Sequence, residues 1–457
     1  MKTHQILLAV CSLSLAFSLK AQADEKLVYT LKTTDITHQP QASQDKDKSS
    51  KQDKPASTEK ASEVTITLGD NYVIQDDSET THIIDFAKKR IVSVDKKANE
   101  YHDVALHSTV YFRAMELKNR LMLGQILKNT GATLDAFRPF DSETLLGLTI
   151  PGLDSTKVEE KTSNGAIDYV HDGQLVAWFE PSTEKISESA KTGYRRFLAN
   201  MCQLHPQIRE SLLKQETFPK TLKYQAKMAG LREEAKEFKL KSASTVSAVN
   251  ADPPAGCKLV RDEALTPIYE GLDKLGEHPK FPERAEITKK VDDLIKSGKA
   301  LDALLVILEY HLSTDENMDP ETKKAMEAGK DNPAFQKFLR SSQSTAPSGA
   351  ESAIKELESL DRSNPSAANV LDILCANLYF GLTQRTPAIQ LMTKALTRNP
   401  LITGAYHDLG NMYLSIFQSG TGWDCFRLAQ KLSPSHKMVN DISQLDAQLE
   451  KDYPEFF

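Results

Sequence analysis

Cysteine is scarce in this chain, five residues in 457, and no Cys-x-x-C pair occurs. That excludes a disulfide scaffold and gives no support to a zinc ribbon or a thioredoxin-like redox centre. Basic charge is not in excess: the formal net charge is −6, which argues against a general nucleic-acid binder and against charge-held attachment to anionic lipid. After the N-terminus no run reaches the roughly 18 apolar residues of a membrane-spanning helix. His-Glu-x-x-His, Gly-x-Ser-x-Gly, a phosphate loop, a dinucleotide fingerprint and EF-hand spacing are all missing. The eleven histidines are scattered. His102 and His107 stand five apart, off one helical face, and read as surface or cap residues. Asp76, Asp77 and Glu79 read as a solvated hairpin tip rather than a calcium site. Trp178 and Trp423 read as packing residues. The expectation is a protein that is not an enzyme and holds no cofactor or metal.

What is present divides the chain. Residues 1–23 read as a secretory signal peptide: Lys2, an apolar run from Ile6 to Leu19, then Ala21-Gln22-Ala23 as a small-x-small cleavage site. The expected location is exported, periplasmic or secreted, after cleavage near Ala23. An oxidising compartment permits a bridge between Cys202 and Cys257, which geometry must test. Residues 24–242 read as an α+β domain. In it Leu27, Tyr29 and Leu31 share one strand face, and Val64, Ile66 and Leu68 share another. Strand-like runs then follow at 8–12-residue spacing as an antiparallel meander. Residues 38–62 are polar and Pro-containing, a flexible insert by composition. Ser108 is placed to cap a helix that Gly131 ends. Asp172-Gly173 joins two alternating runs as a hairpin, and a helix is expected from about Ser182 to Cys202. Residues 243–256 are small and Pro-rich, a linker. Residues 257–457 are helical in pattern.

The last hundred residues repeat at a period of 34. Tyr379 matches Tyr413, Ala388 matches Gly422, Met392 matches Phe426, Ala395 matches Ala429 and Pro400 matches Pro434. Tyr406, Leu409 and Gly410 add aromatic-x-x-Leu-Gly-x-x-Tyr, with Ala376 in the place of Gly410. A small residue midway along each helix lets its partner approach closely, and Pro ends the second helix. This pattern resembles the tetratricopeptide repeat. A third copy is read at Ser352–Pro365, and a fourth at Val291–His311 with Gly298 and Ala303 as close-contact residues. Residues 313–350 read as a looser helical insert. The meander of residues 63–106, with its Lys-Lys turns, looks like exported bacterial domains of the lipoprotein-carrier kind.

The repeat resemblance implies a solenoid whose first helices line a groove. Val370, Ile373, Asn377 and Phe380 would look inward from one copy. From the next, Gly404, His407, Asn411 and Leu414 would do so. Asn377 and Asn411 either hydrogen-bond the backbone of a bound peptide or simply suit a wet helix face. Val370, Ile373, Leu374, Gly404, His407 and Asp408 include no Lys or Arg, so a carboxylate clamp is not expected. Two roles follow. One is a scaffold that docks a partner protein or peptide in the helical groove. The other is a lipid or lipoprotein carrier, with the apolar ligand held by the α+β domain in a hollow of roughly 300 Å³ or more.

Overall fold

The computed structural model describes residues 23–37, 56–131, 138–151, 157–228, 232–343 and 347–457. The signal-peptide assignment, and residues 38–55 of the insert, lie outside them. The described chain is an α+β domain followed by an all-α helical-repeat domain.

The first domain is built on twelve strands: β1 (Ala23–Thr37), β2 (Ala56–Leu68), β3 (Tyr72–Asp76), β4 (Thr80–Asp85), β5 (Arg90–Asp95), β6 (Glu100–Ala105), β7 (Glu159–Ser163), β8 (Ala166–His171), β9 (Gln174–Lys185), β10 (Thr217–Met228), β11 (Arg232–Ser247) and β12 (Lys258–Leu259). They form one sheet in the order β12-β6-β5-β4-β3-β2-β1-β11-β10-β9-β8-β7. The sheet starts at its centre with β1, meanders out to β6, crosses to the far edge and returns to pair β11 antiparallel with β1. Among the described residues only the pairing of β12 with β6 is parallel. The turns are made by residues that tolerate the left-handed backbone. Asn164-Gly165 (φ 51° and 81°) joins β7 to β8, and Asp172-Gly173 (φ 49° and 75°) joins β8 to β9.

Alternation sets the core. Leu27 and Tyr29, Val64 and Ile66, Ala177 and Phe179, Leu222 and Tyr224, and Phe238 all bury on one face. Helix α3 (Glu188–Asn200) lies across β1–β3 on that face, with Tyr194, Phe197 and Leu198 inserted. Ser187 caps it by accepting from the Ala190 N–H at 3.2 Å. Between β6 and β7 the chain forms α1 (Leu106–Thr130) and α2 (Pro139–Leu146), and before β10 it forms α4 (Pro206–Leu212).

Several expectations change. Residues 56–62 of the supposed insert are the outer half of β2, paired with Ser62↔Leu31 through Ala56↔Thr37. They are polar because this ribbon projects past the core and is held by backbone bonds. Residues 243–247 continue β11, and the rest of the supposed linker is fastened to the sheet. The Val249 N–H donates to the Tyr72 hydroxyl at 2.7 Å, Arg90 pairs with Asp252 at 2.6 Å, and the Asn99 amide donates to the Gly256 carbonyl at 2.9 Å. Ala251 and Cys257 thereby cover Ile74, Ile83, Val92 and Val94 on the face opposite α3. The helix expected from Ser182 begins at Glu188, since β9 runs on to Lys185. Ser108 lies inside α1, its hydroxyl donating to the Ala105 carbonyl at 2.7 Å, while Gly131 (φ 65°) ends the helix as expected. Cys202 is buried in the α3-side core and Cys257 lies on the opposite face, where its thiol donates to Asn99 Oδ1 at 3.2 Å. The two are free and unbridged. Burial pushes the Cys202 thiol up to about 12.

The second domain runs through α5 (Thr266–Leu275), α6 (Arg284–Lys296), α7 (Ala300–Thr314), α8 (Asp319–Gly329), α9 (Pro333–Ser342), α10 (Pro347–Glu358), α11 (Pro365–Gly381), α12 (Arg385–Arg398), α13 (Thr403–Leu414), α14 (Ser419–Leu432) and α15 (Lys437–Asp452). Helices pack as successive hairpins, α9 with α10, α11 with α12 and α13 with α14. Part of the supposed looser insert is therefore the first arm of a hairpin. Tyr379 and Tyr413 hold matching places in the first helices of consecutive hairpins. Each faces the preceding second helix, Tyr379 towards Glu358 of α10 and Tyr413 towards Thr393 of α12. Gly410 against Gly422 marks a close approach of α13 and α14, and Ala376 and Ala388 are fully buried where α11 packs on α12. Gly298 does not: it is the left-handed turn residue between α6 and α7 (φ 76°), with no atom within 4 Å of an added Cβ.

Candidate functional site

Three features could carry function: the first-helix face of the repeat, the seam between the domains, and hollows on the sheet. On the repeat, the expected groove is half closed by the chain itself. Helix α7 is apolar nearly all round, so it must bury several faces. It packs on both α11 and α13. Val370, Ile373 and Leu414, expected to line a groove, are core residues with 1%, 3% and 6% exposure: Val370 shares the core of α7, while Leu414 packs on Gly422 of α14 within its own hairpin. An added Cβ on Gly404 would meet the Leu312 carbonyl of α7 at 3.2 Å. Polar groups pin this closure. Glu309 of α7 accepts from the Asn369 amide at 2.6 Å and the Asn399 amide at 2.8 Å. Buried Asp372 takes Arg362 and, at 2.7 Å, Arg398. The sequence signal for this was the unbroken apolar run of α7, too rich for an outer helix.

Beyond α7 the same face stays open. Asn377 is exposed, and Phe380, His407 and Asn411 are half-buried. They form one row: the Asn377 amide donates to Asp408 at 3.0 Å, His407 Nδ1 lies 3.2 Å from Asp408, and the Asn411 amide lies 3.2 Å from His407 Nε2. Arg385 stacks over Phe380 at 4.2 Å. Of the repeat-signature positions, Ala388, Met392, Ala395, Pro400, Tyr406, Leu409, Gly410, Tyr413, Gly422, Phe426 and Ala429 are buried, Tyr379 is half-buried and Pro434 is exposed. Tyr406 donates to the Pro400 carbonyl at 2.9 Å, which locks the turn between repeats.

The seam joins α14 to β6 and α1. Arg427 pairs with Asp103 at 3.0 Å, Arg90 pairs with the same carboxylate at 3.0 Å, and Thr421 donates to Asp262. His107, expected at the surface, is buried here and meets Glu450 of α15 at 2.9 Å. Asp424 sits among these charges. Burial, with Asp262 and Asp103 opposing Arg427, raises its carboxyl to about 7. A raised folded-state value means that the stability held by the proton is full below the ordinary aspartate range and drains away as pH rises from about 4 through 7. Asp424→Asn should therefore be more stable than the parent by about 1–2 kcal/mol at pH 8.5, and equal to it at pH 3.5. Chemical denaturation at the two pH values measures this; equal midpoints at pH 8.5 would remove the seam charge from the account.

Among the described residues, two hollows on the α+β domain bear on function. One, of about 310 Å³, is lined by β1, β9, β10 and β11, with Trp178 at its side. Trp178 is half-buried on the sheet face opposite α3 rather than packed in a core; Trp423, by contrast, is buried and donates to Asp446 at 3.1 Å. The other, of about 460 Å³, is bounded by α2 and the β8–β9 hairpin. There Phe140 is stacked between His171 (4.1 Å) and His205 (4.8 Å). His205 Nε2 is 3.0 Å from Glu143, both buried, and its Nδ1 accepts from the Gln207 N–H, so Nε2 carries the proton. Glu143 also accepts from the Ile150 N–H at 2.8 Å. That pair ties α2 to α4 and is sealed from the hollow. The sheet face under α3 is filled by Tyr194, Phe197, Phe218 and Phe238.

No family model matches the chain, and no curated protein matches it. Among solved structures it aligns with a structure of lipid–protein interactions in lipovitellin, at 10% identity, over 95% of this chain and 54% of that one, with a TM-score of 0.18. The chain thus spans about half the length of that neighbour, at a score too low to identify a common fold.

Proposed function

We propose that this chain is an exported, non-catalytic binding protein of the tetratricopeptide-repeat kind, which docks a partner polypeptide on the open half of its first-helix face. One observation carries the reading. Asn377, Asp408, His407 and Asn411 come from adjacent first helices and form a continuous, solvent-facing row beside the part that α7 closes. Amide, carboxylate and imidazole side chains in a line offer both donors and acceptors to an extended backbone. Phe380 and Arg385 supply an apolar and a cationic contact at its end. Helix α7 shortens the groove and so restricts the partner to a short segment.

The test is a photo-cross-linker at exposed Ser415, one turn beyond Asn411, with a control at exposed Lys323 on α8. In an extract of the exported compartment, a discrete cross-linked species is expected at Ser415 and not at Lys323. Asn377→Ala combined with Asn411→Ala should reduce it at least fivefold without moving the thermal midpoint. The same labelling at both positions, or undiminished capture by the double variant, would end the proposal.

A further inference from the structure

We infer that the hollow beside Trp178 is a binding site for an anionic amphiphile, an apolar chain or ring bearing one carboxylate or phosphate. The inference goes beyond the docking role of the helices and does not depend on it. Strand register places the parts. Trp178 of β9 is opposite Lys223 of β10, Lys223 is opposite Glu237 of β11, and Glu237 is opposite Lys32 of β1. Directly opposed residues share a face. Their neighbours Ala177, Tyr224 and Phe238 are buried on the α3 side, so this row lies on the other face.

That other face is treated differently at its two ends. Over β3–β6 its apolar residues are covered by the chain's own Ala251 and Cys257. Over β9–β1, among the described residues, a large aromatic ring with Val176 beside it borders a hollow of about 310 Å³, at the lower end of ligand-sized cavities.

The charges fix the sign of the ligand. The Lys223 ammonium lies 5.1 Å from the indole centroid and 3.0 Å from Glu237. Lys239 also reaches Glu237, at 3.3 Å. Lys223 can therefore turn to an incoming anion without leaving Glu237 bare. Lys32 stands on the other side of Glu237, held at 2.8 Å by Glu59. A cation would meet the like charges of Lys223 and Lys32, which line the hollow. An apolar group against Trp178 and Val176, with its anion on Lys223, satisfies every element of the row.

The test uses the full chain with dodecanoate and dodecyl phosphate, each below its micellar concentration, followed by calorimetry and by tryptophan emission. The carboxylate and phosphate arms distinguish the two headgroups. Saturable binding of at least one is expected. Lys223→Glu should weaken it at least tenfold and Lys323→Glu should leave it unchanged. Trp178→Phe should abolish the emission change and weaken the calorimetric signal, with circular dichroism confirming that both site variants are folded. Equal binding of dodecyltrimethylammonium or dodecyl maltoside, no saturable response to either anion, or parent-like affinity in a folded Lys223→Glu variant would overturn the inference.

Discussion

Phe456→Ala should cost about 3–5 kcal/mol and separate the unfolding of the two domains. Phe456 is fully buried in one apolar cluster that runs from Leu146 and Ala199 of the first domain to Val439 and Leu449 of the second. Its segment packs on α3 and on α15. Arg113 of α1 stacks over the ring at 4.6 Å and Arg209 of α4 stands at 5.8 Å. Both guanidinium groups are desolvated: burial and then Arg209 pull Arg113 down to about 10, and Arg209 is lowered by its own burial. They are steadied by the Leu146 carbonyl, 3.0 Å from Arg113, and the Gly147 carbonyl, 3.2 Å from Arg209. Removing the ring opens a cavity and leaves two neighbouring cations facing it.

The backbone around Phe456 reinforces the join. Arg196 donates to the Phe457 carbonyl at 3.2 Å, and the Asn200 amide donates to that of Phe456 at 3.4 Å. The Phe457 ring lies 5.0 Å from His107. Calorimetry of the parent should give one transition, because the seam couples the domains, and Phe456→Ala should give two. A single transition shifted by only a degree or two would show that the α14 contacts with β6 and α1 suffice alone. Phe456→Leu, which keeps apolar volume and loses the cation–ring contacts, should fall between them.

Nothing in the sequence near Pro454 announced that role, because a two-residue aromatic run has no period. Legibility followed periodicity throughout. The buried faces of β1 and β2 could be read from Leu27 and Tyr29, and from Val64 and Ile66, because strand parity allows one inward set. The hairpin at Asp172-Gly173 is legible because only certain residues take a left-handed turn cheaply, and Asn164-Gly165 carries the same signal for the turn between β7 and β8. The β2 half at Ala56–Ser62 was not legible. Composition reports burial, and this ribbon is held by backbone pairing that any polar sequence can make. The groove failed for a different reason. Repeat spacing orients α11 and α13 relative to their own partners, but it does not say that α7 will fold back across them. Trp178 could have been placed by parity, since Ala177 and Phe179 flank it on the buried face and only one of two adjacent residues can point inward.

The two hairpins of the repeat solve one packing problem in different ways, and that difference can be tested. In α13, Gly410 faces Phe426: an added Cβ would lie 2.3 Å from Cε1 and 3.0 Å from the Gly422 carbonyl. Phe426 is buried with Trp423 edge-on at 5.4 Å and His407 at 6.1 Å, so its retreat would displace neighbouring rings. Gly410→Ala gains about 1 kcal/mol of helix propensity. Overpacking a rigid ring loses more, and a net loss of about 2 kcal/mol is expected. In α11 the corresponding residue is already Ala376, and the corresponding ring position is Met392, a side chain that bends around a methyl group. Carrying that solution across, Phe426→Met should rescue Gly410→Ala. The double variant should be at least 1 kcal/mol more stable than the sum of the two single losses predicts. Gly381→Ala, where an added Cβ has no atom within 4 Å, should be neutral or stabilising by up to about 1 kcal/mol. Strict additivity at 410 and 426 would mean that the helices separate rather than repack, and that the 34-residue match between the hairpins does not extend to how they bear on each other.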